Sequence, residues 1–346
     1  MLTIIATTLF CFLVIPFLRQ IALTVGLTDK PDTRKRHLGE IPPVGGIAIF
    51  LTLVVGEILS SGNLLPSTLL ALCLALVILG VVDDIRNLSA MFRLCVQIVV
   101  ALLMVVFADV RIESVGSIIG GDALEFGYIT SLLFTVMCTV GVINAINMID
   151  GLDGLSGSVL AVTFVSLGVL AGLHGETVTA LTLFMITGSL LAFLFYNSRL
   201  VRDKASIFLG DAGSMMLGLI LVWFLVEMTQ GSDRVLSPVA AGWMFGLPLM
   251  DTVAVMVGRI LNKRSPFEAG RDHLHHRLKN RGFSVNSVVL TMLAMHCALV
   301  LVGTLNAANT DGETWLFWLF VTLVIVFFAI SKRLFELSNT ELLRVK

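Results

Sequence analysis

The sequence predicts an all-α, polytopic integral membrane protein. Three observations carry that expectation: 57% of the 346 residues are hydrophobic, only 14% are charged, and the mean hydropathy is +0.96. A soluble domain carries roughly 25% charged residues, and so thin a polar shell could not cover this much apolar surface. The third observation has a length scale attached. A helix needs about 20 apolar residues to cross the hydrocarbon layer, and eleven windows of that kind follow one another along the chain.

In order, the windows lie near 2–23, 44–61, 64–82, 91–108, 126–147, 155–173, 177–196, 213–229, 237–258, 286–305 and 314–331. In the first, the leading cation is Arg19, which follows the apolar run. That order disfavours a cleaved leader and predicts a first spanning helix. The second opens after Pro42-Pro43 and Gly45-Gly46, and the third runs into Asp83-Asp84. The fifth runs into INAINMIDGLDGLSG, the eighth follows FLGDAGS and the ninth contains PLMD. Cys11, Cys73, Cys95, Cys138 and Cys297 all fall inside apolar runs without CxxC spacing, so they read as core residues rather than disulfides or metal ligands. No internal repeat or low-complexity tract divides the chain, which reads as one catalytic domain over 1–346 with a polar loop at 259–285.

Lys and Arg total 23 against 24 Asp and Glu, so no overall field argues for a nucleic-acid partner. Position matters more. All the cations except Arg111 and Arg234 fall in one set of alternate connections. The positive-inside rule then predicts a periplasmic N-terminus, a cytoplasmic C-terminus and an odd number of spans. Asp109, Glu113, Asp122, Glu125, Asp233, Asp311 and Glu313 scatter over the other side and read as an unpaired, solvated face.

The polar residues with chemistry to offer gather on the basic side. Asp83 and Asp84 are adjacent carboxylates that repel each other and ask for a cation; Arg86 and Arg93 as plain counter-ions are the alternative. Asn144, Asn147, Asp150 and Asp153 recur every third residue, so a continuing helix would line them along one stripe. Gly151, Gly154 and Gly157 would let a ligand approach the main chain. Asp211 either caps the following helix or presents a carboxylate to Mg²⁺ while the helix N-terminus faces an anion. Phe208 either stacks on a base or packs.

Arg271, His273, His275 and His276 form a cationic, hydrogen-bonding patch in residues 265–282. Phosphate suits such donors; a zinc site or attraction to lipid headgroups are the other readings. DKPDTRKRHLGEIPPVGG, residues 29–46, is a topology signal or a shaped loop beneath the active face. Among ionisable groups, only Glu57, Glu227, Asp251 and His296 are candidates for membrane depth, few for a secondary transporter. Taken together, these residues suit phosphoryl chemistry on a lipid, where metal and cationic side chains spread transition-state charge.

These motifs, in this order, resemble the polyprenyl-phosphate N-acetylhexosamine-1-phosphate transferase superfamily, from DKPDTRKRH and PPVGG through VVDD, NAINMIDGLDG, FLGDAGS and PLMD to RDHLHH. The resemblance implies transfer of GlcNAc-1-phosphate from UDP-GlcNAc to undecaprenyl phosphate with Mg²⁺ or Mn²⁺, in a bacterial inner membrane, at a site facing the cytoplasm. It implies that Asp211 is the metal ligand and that Asp83, Asp84, Asp150 and Asp153 are catalytic. By the same resemblance Asn144, Asn147, Gly151, Leu152 and Phe208 bind the nucleotide, and Arg271, His273, His275 and His276 the sugar-nucleotide end. Asn87 stands where many relatives carry a third aspartate. The resemblance also reaches the phospho-MurNAc-pentapeptide translocases, a second reading within the same fold, and leaves self-association as a homodimer open. A role in initiating lipid-linked surface glycans, of O-antigen or enterobacterial common antigen type, is the corresponding expectation.

Overall fold

The computed structural model describes residues 1–29, 40–266 and 270–344, with side chains to 333. Its contacts group into two compact units. The first comprises residues 1–113 and 126–235, the second 114–125 and 236–346.

In the first unit eight helices follow in sequence: α1 (Leu2–Val25), α2 (Gly45–Leu59), α3 (Ser67–Arg86), α4 (Ala90–Ala108), α5 (Tyr128–Ile149), α6 (Leu155–Leu173), α7 (Thr177–Asn197) and α8 (Gly210–Thr229). All but α2 are long and apolar enough to span a membrane. Helix α8 is buried along nearly its whole length and packs against α2, α3 and α5, whereas α1 leaves most of its apolar surface outward. That contrast follows from the helices' surroundings: a helix apolar on all sides is stable either inside a bundle or against lipid.

Small residues let the central helices close on one another. A Cβ added to Gly80 of α3 would lie 2.1 Å from the Ala212 backbone nitrogen of α8, and one on Gly46 of α2 would lie 2.1 Å from that of Gly213. Farther along α8, a Cβ on Gly218 would meet Ile143 Cα of α5 at 2.7 Å. The aspartates at the end of α3 are therefore held against the start of α8 by backbone proximity.

The second unit contains α9 (Pro238–Met244), α10 (Gly246–Leu261), α11 (Leu274–Asn280), α12 (Val285–Leu305) and α13 (Glu313–Arg344). The single span expected over 237–258 is broken into α9 and α10, bent by 81° at Phe245. Pro248 explains the position of the break. A continuous helix would need its missing N–H and would clash at residue 244, whereas in the first turn of α10 it costs nothing.

Among the described residues nine helices pass the length and hydropathy requirement for spanning, or ten when the bent pair counts as one span. This departs from the expected eleven because α2 has 15 residues, about 22 Å of helix against a core of about 30 Å. The polar surroundings of the other loops also differ from expectation. Asp109 and Glu113 both pair with Arg111, at 2.7 and 2.5 Å, and Glu313 is buried and accepts the Ser117 N–H at 2.7 Å. Glu57 accepts the N–H groups of Leu64 and Leu65, so it closes a turn. All five cysteines are free thiols; Cys11 and Cys73 are buried, but Cys95 and Cys297 are exposed rather than core.

Candidate active site

The start of α8 and the ends of α3 and α5 bring four predicted residues together in the first unit. Asn147, in the last turn of α5, donates from Nδ2 to Asp211 Oδ1 at 2.5 Å and to Ser214 Oγ at 2.9 Å. Asp211 lies in the first turn of α8, whose N-cap is Leu209, so it is not the cap that the sequence allowed. The helix N-terminus does face an anion, and that anion is protein: Asp84 Oδ1 accepts the Asp211 N–H at 3.4 Å. Gly210 is required here twice over, because its φ is +75° and a Cβ would press on Asp84 Oδ2 at 2.8 Å.

Asp83 is 3% exposed and holds a turn as well as a charge. Its Oδ1 accepts the Leu88 N–H at 2.7 Å, while Oδ2 pairs with Arg93 Nη1 at 2.6 Å. The same Nη1 lies 3.6 Å from Asp211 Oδ2. Asn87, with φ +50°, ends α3 in the left-handed region, which Asn tolerates well.

The expected stripe of Asn144, Asn147, Asp150 and Asp153 is broken. Helix α5 stops at Ile149 and Asp150 is its C-cap, so only the two asparagines share a helix. Asn144 donates to Gln97 Oε1 of α4 at 2.7 Å, a contact that ties α4 to α5. Asp150 is bonded by the Ser156 hydroxyl, and burial pushes its carboxyl up to about 7, with the charges of Asp211 and Asp153 adding to the effect. Asp153 pairs with Arg199 Nε at 2.5 Å.

Gly151 and Leu152 form the turn between these two aspartates. Gly157 serves helix packing, since a Cβ there would meet Leu194 at 2.9 Å and Phe193 at 3.1 Å. Asn197, absent from the sequence reading, accepts the Gly154 N–H at 2.7 Å and donates to the Ile207 carbonyl at 2.9 Å. It thereby joins the aspartate turn to the segment that carries Phe208. Phe208 is half-buried; its N–H donates to Pro42 and its carbonyl accepts from Gly45, both at 2.9 Å. The PPVGG segment therefore docks on FLGDAGS, whereas residues 30–39 of the basic motif before it lie outside the described residues.

In the second unit His273 and His275 are buried and His276 is half-buried. His273 is the N-cap residue of α11, 4% exposed, and its Nδ1 meets Asp251 Oδ2 of α10 at 2.8 Å; the other Asp251 oxygen accepts the Leu274 N–H at 2.9 Å. His275 is fully buried, lies between the rings of His273 and His276, and has no hydrogen-bond partner for either nitrogen among the described residues. Burial pushes the imidazole of His275 down to about 3 and that of His276 to about 4, so both are neutral near pH 7. Arg259 supports the segment by donating to Asp272 Oδ2 at 3.0 Å and to the Pro266 carbonyl at 3.1 Å. Arg271 lies just before this helix, on an exposed bend.

Hard divalent cations take oxygen ligands, and Mg²⁺ is usually held through one or two carboxylates plus substrate phosphates. Asp211, Asp83, Asp84 and the amide oxygen of Asn147 are donors of that chemistry and fit such a cation. Among the described residues no three His, Cys, Asp or Glu side chains converge closely enough to hold a metal by themselves.

Residues 66–229, which span α3 to α8 and so every aspartate of this site, match glycosyl transferase family 4. Curated relatives of the chain carry the name undecaprenyl-phosphate alpha-N-acetylglucosaminyl 1-phosphate transferase. The Salmonella typhi protein is 36% identical over 302 residues, which cover 86% of this chain and 79% of that one. The Escherichia coli K12 protein is 33% identical over 93% of this chain and 86% of its own, and the Haemophilus influenzae protein 34% identical over 95% and 92%. With that similarity over most of both lengths and a bundle of membrane-spanning helices, the chain belongs to glycosyl transferase family 4 and is a multi-pass membrane transferase.

Proposed function

We propose that the protein transfers GlcNAc-1-phosphate from UDP-GlcNAc to undecaprenyl phosphate, releasing UMP. The observation that carries this reading is the gathering of Asp83, Asp84, Asn147 and Asp211 at one end of the bundle, in the region that matches the family. The relatives' names support the acceptor and the transferred group. The span count does not separate this reading from a pentapeptide translocase, whereas those names favour it.

In the reaction an acceptor phosphate oxygen attacks the β-phosphorus of the donor. The bond from β-phosphorus to the bridging oxygen breaks, UMP leaves with that electron pair, and the bond between sugar and phosphate is never cut. Mg²⁺ or Mn²⁺, when bound, supplies charge neutralisation for the diphosphate. Asp211 would hold it together with Asp83, with Asp84 and the Asn147 amide nearby. Asn147 orients Asp211, Asp84 keeps the α8 terminus in place, and Asp150 sits close enough to neutrality to exchange a proton near pH 7. Phe208 and the turn at Gly151 and Leu152 would receive the nucleotide, and Arg271 with His273, His275 and His276 the sugar-phosphate end.

A donor panel tests the assignment. UMP release by the purified protein should require undecaprenyl phosphate and a divalent cation, and should be fastest with UDP-GlcNAc. Equal or faster turnover with UDP-MurNAc-pentapeptide would transfer the chain to the translocase reading. A product of this kind would enter lipid-linked surface glycan synthesis.

The distribution of cations supports a cytoplasmic site in a bacterial inner membrane. Single cysteines introduced at positions 36, 270 and 340, with native thiols replaced, should label only from the cytoplasmic side, and those at 232 and 311 only from outside. A C-terminal cysteine labelled from outside would reverse the parity of the spans.

A further inference from the structure

We propose that the Arg93 guanidinium and the catalytic divalent cation are alternative occupants of the Asp83–Asp211 carboxylate pair. Arg93 holds the two carboxylates together in the metal-free enzyme and withdraws when the cation binds. The inference rests on the reading of Asp211 as a metal ligand and goes beyond it.

The geometry begins with the α3–α4 connection. Asn87 turns the chain in the left-handed region, Ser89 caps α4 by accepting the Phe92 N–H at 3.2 Å, and Arg93 therefore lies one turn into α4, back over the end of α3. The Asp83 carboxylate fixes this turn through Leu88 with one oxygen and holds Arg93 with the other. One guanidinium nitrogen, Nη1, is 2.6 Å from Asp83 Oδ2 and 3.6 Å from Asp211 Oδ2. It thus fills the space between carboxylates that belong to two different helices.

A cation held by the Asp83 and Asp211 carboxylates would need the place that Nη1 takes. Nη1 and the metal cannot both occupy that place.

Charge makes the exchange favourable. The Asp83 and Asp211 carboxylates share one guanidinium nitrogen, so a single positive charge leaves the pair under-neutralised. A divalent ion meets that demand better, and it arrives with phosphate oxygens that can take the released guanidinium in its turn. The Arg93 side chain is 30% exposed, so it has a way out, whereas Asp83 is 3% exposed and has none.

The test measures metal binding without turnover, in the full-length detergent-solubilised protein and without substrate, by titrating Mn²⁺ and following its free-ion EPR signal. Removing the competitor in Arg93→Gln should tighten Mn²⁺ binding about tenfold, while Arg93→Lys, which keeps the charge, should stay near wild type. Turnover should fall in Arg93→Gln although the metal binds better. A merely structural arginine would give the opposite sign on binding.

Unchanged or weaker Mn²⁺ affinity in Arg93→Gln, with the site lost in Asp211→Asn, would overturn the exchange and leave the metal site standing. Equal Mn²⁺ binding by wild type and Asp211→Asn would overturn both. A second measurement does not depend on the Gln variant folding. In wild-type protein carrying ¹⁵N-arginine, the Arg93 Nε resonance, identified by its absence from Arg93→Lys, should move on addition of Mg²⁺. A resonance that stays in place while metal binds would overturn the proposal.

Discussion

Replacing Asp211 by Asn should lower turnover by about three orders of magnitude and raise the Mg²⁺ concentration needed for half-maximal rate, because few effects accelerate phosphoryl transfer as much as electrostatic stabilisation of the charge that develops there. The amide preserves size and can still meet Asn147, which now donates to Asp211 Oδ1 at 2.5 Å. It removes the charge that a hard cation requires. Helix α8 does not depend on that charge for its N-cap, since the cap residue is Leu209. The variant should therefore elute and melt like wild type. A Mg²⁺ titration at saturating donor checks the point, and near-normal turnover with an unchanged response to Mg²⁺ would remove Asp211 from the metal site.

The second large effect should come from a residue with no chemistry of its own. In Gly80→Ala the new methyl group would begin 2.1 Å from the Ala212 backbone nitrogen and 2.5 Å from the Asp211 carbonyl carbon. These are main-chain atoms of a buried helix and cannot rotate aside, so α3 and α8 must separate. Overpacking of this kind costs about 1–3 kcal/mol, and displacement of a reacting group by about 1 Å can cost on the order of 100-fold in rate. Insertion into the membrane should be unaffected, because alanine is at least as apolar as glycine. The expected result is a correctly inserted protein with a lowered melting temperature, weakened Mn²⁺ binding and activity reduced about 100-fold. Wild-type activity in this variant would show that the contact is not needed to place Asp83 and Asp84.

These two residues mark what the sequence discloses and what it hides. Asp211 is legible because a carboxylate among glycines at the head of an apolar helix needs a reason to be there. Gly80 is not, because a glycine within LALVILGVVDDIR signals no partner; the partner, Ala212, is more than a hundred residues away. The apolar windows yield the long helices, but α2 is a helix too short to span alone, and window hydropathy does not register where a helix stops. The bend at Phe245 has a local signal in Pro248, masked by the apolar residues around it.

The stripe through Asp150 and Asp153 failed as periodicity because Asp-Gly terminates helices, and the turn that follows sends Asp153 to Arg199 instead. The histidines read as a cationic, hydrogen-bonding patch because three of them stand among arginines, and nothing in that pattern signals burial. Their burial depends on Asp251, 22 residues earlier in an apolar helix, whose carboxylate accepts from both His273 and the Leu274 backbone. Arg93, whose sequence reading went no further than a counter-ion to the aspartates, proves to reach both α3 and α8, a fact that only the short α3–α4 turn reveals.

The central claim is that the sugar moves with its phosphate. The most direct measurement supplies the purified protein with UDP-GlcNAc carrying ³²P at the β-phosphorus and ³H in the sugar, together with undecaprenyl phosphate and Mg²⁺. Both labels should enter the lipid product in equal amounts, with one UMP released per product. Sugar label alone in the lipid, with the phosphorus label leaving as UDP, would show cleavage on the other side of the phosphate and contradict the account.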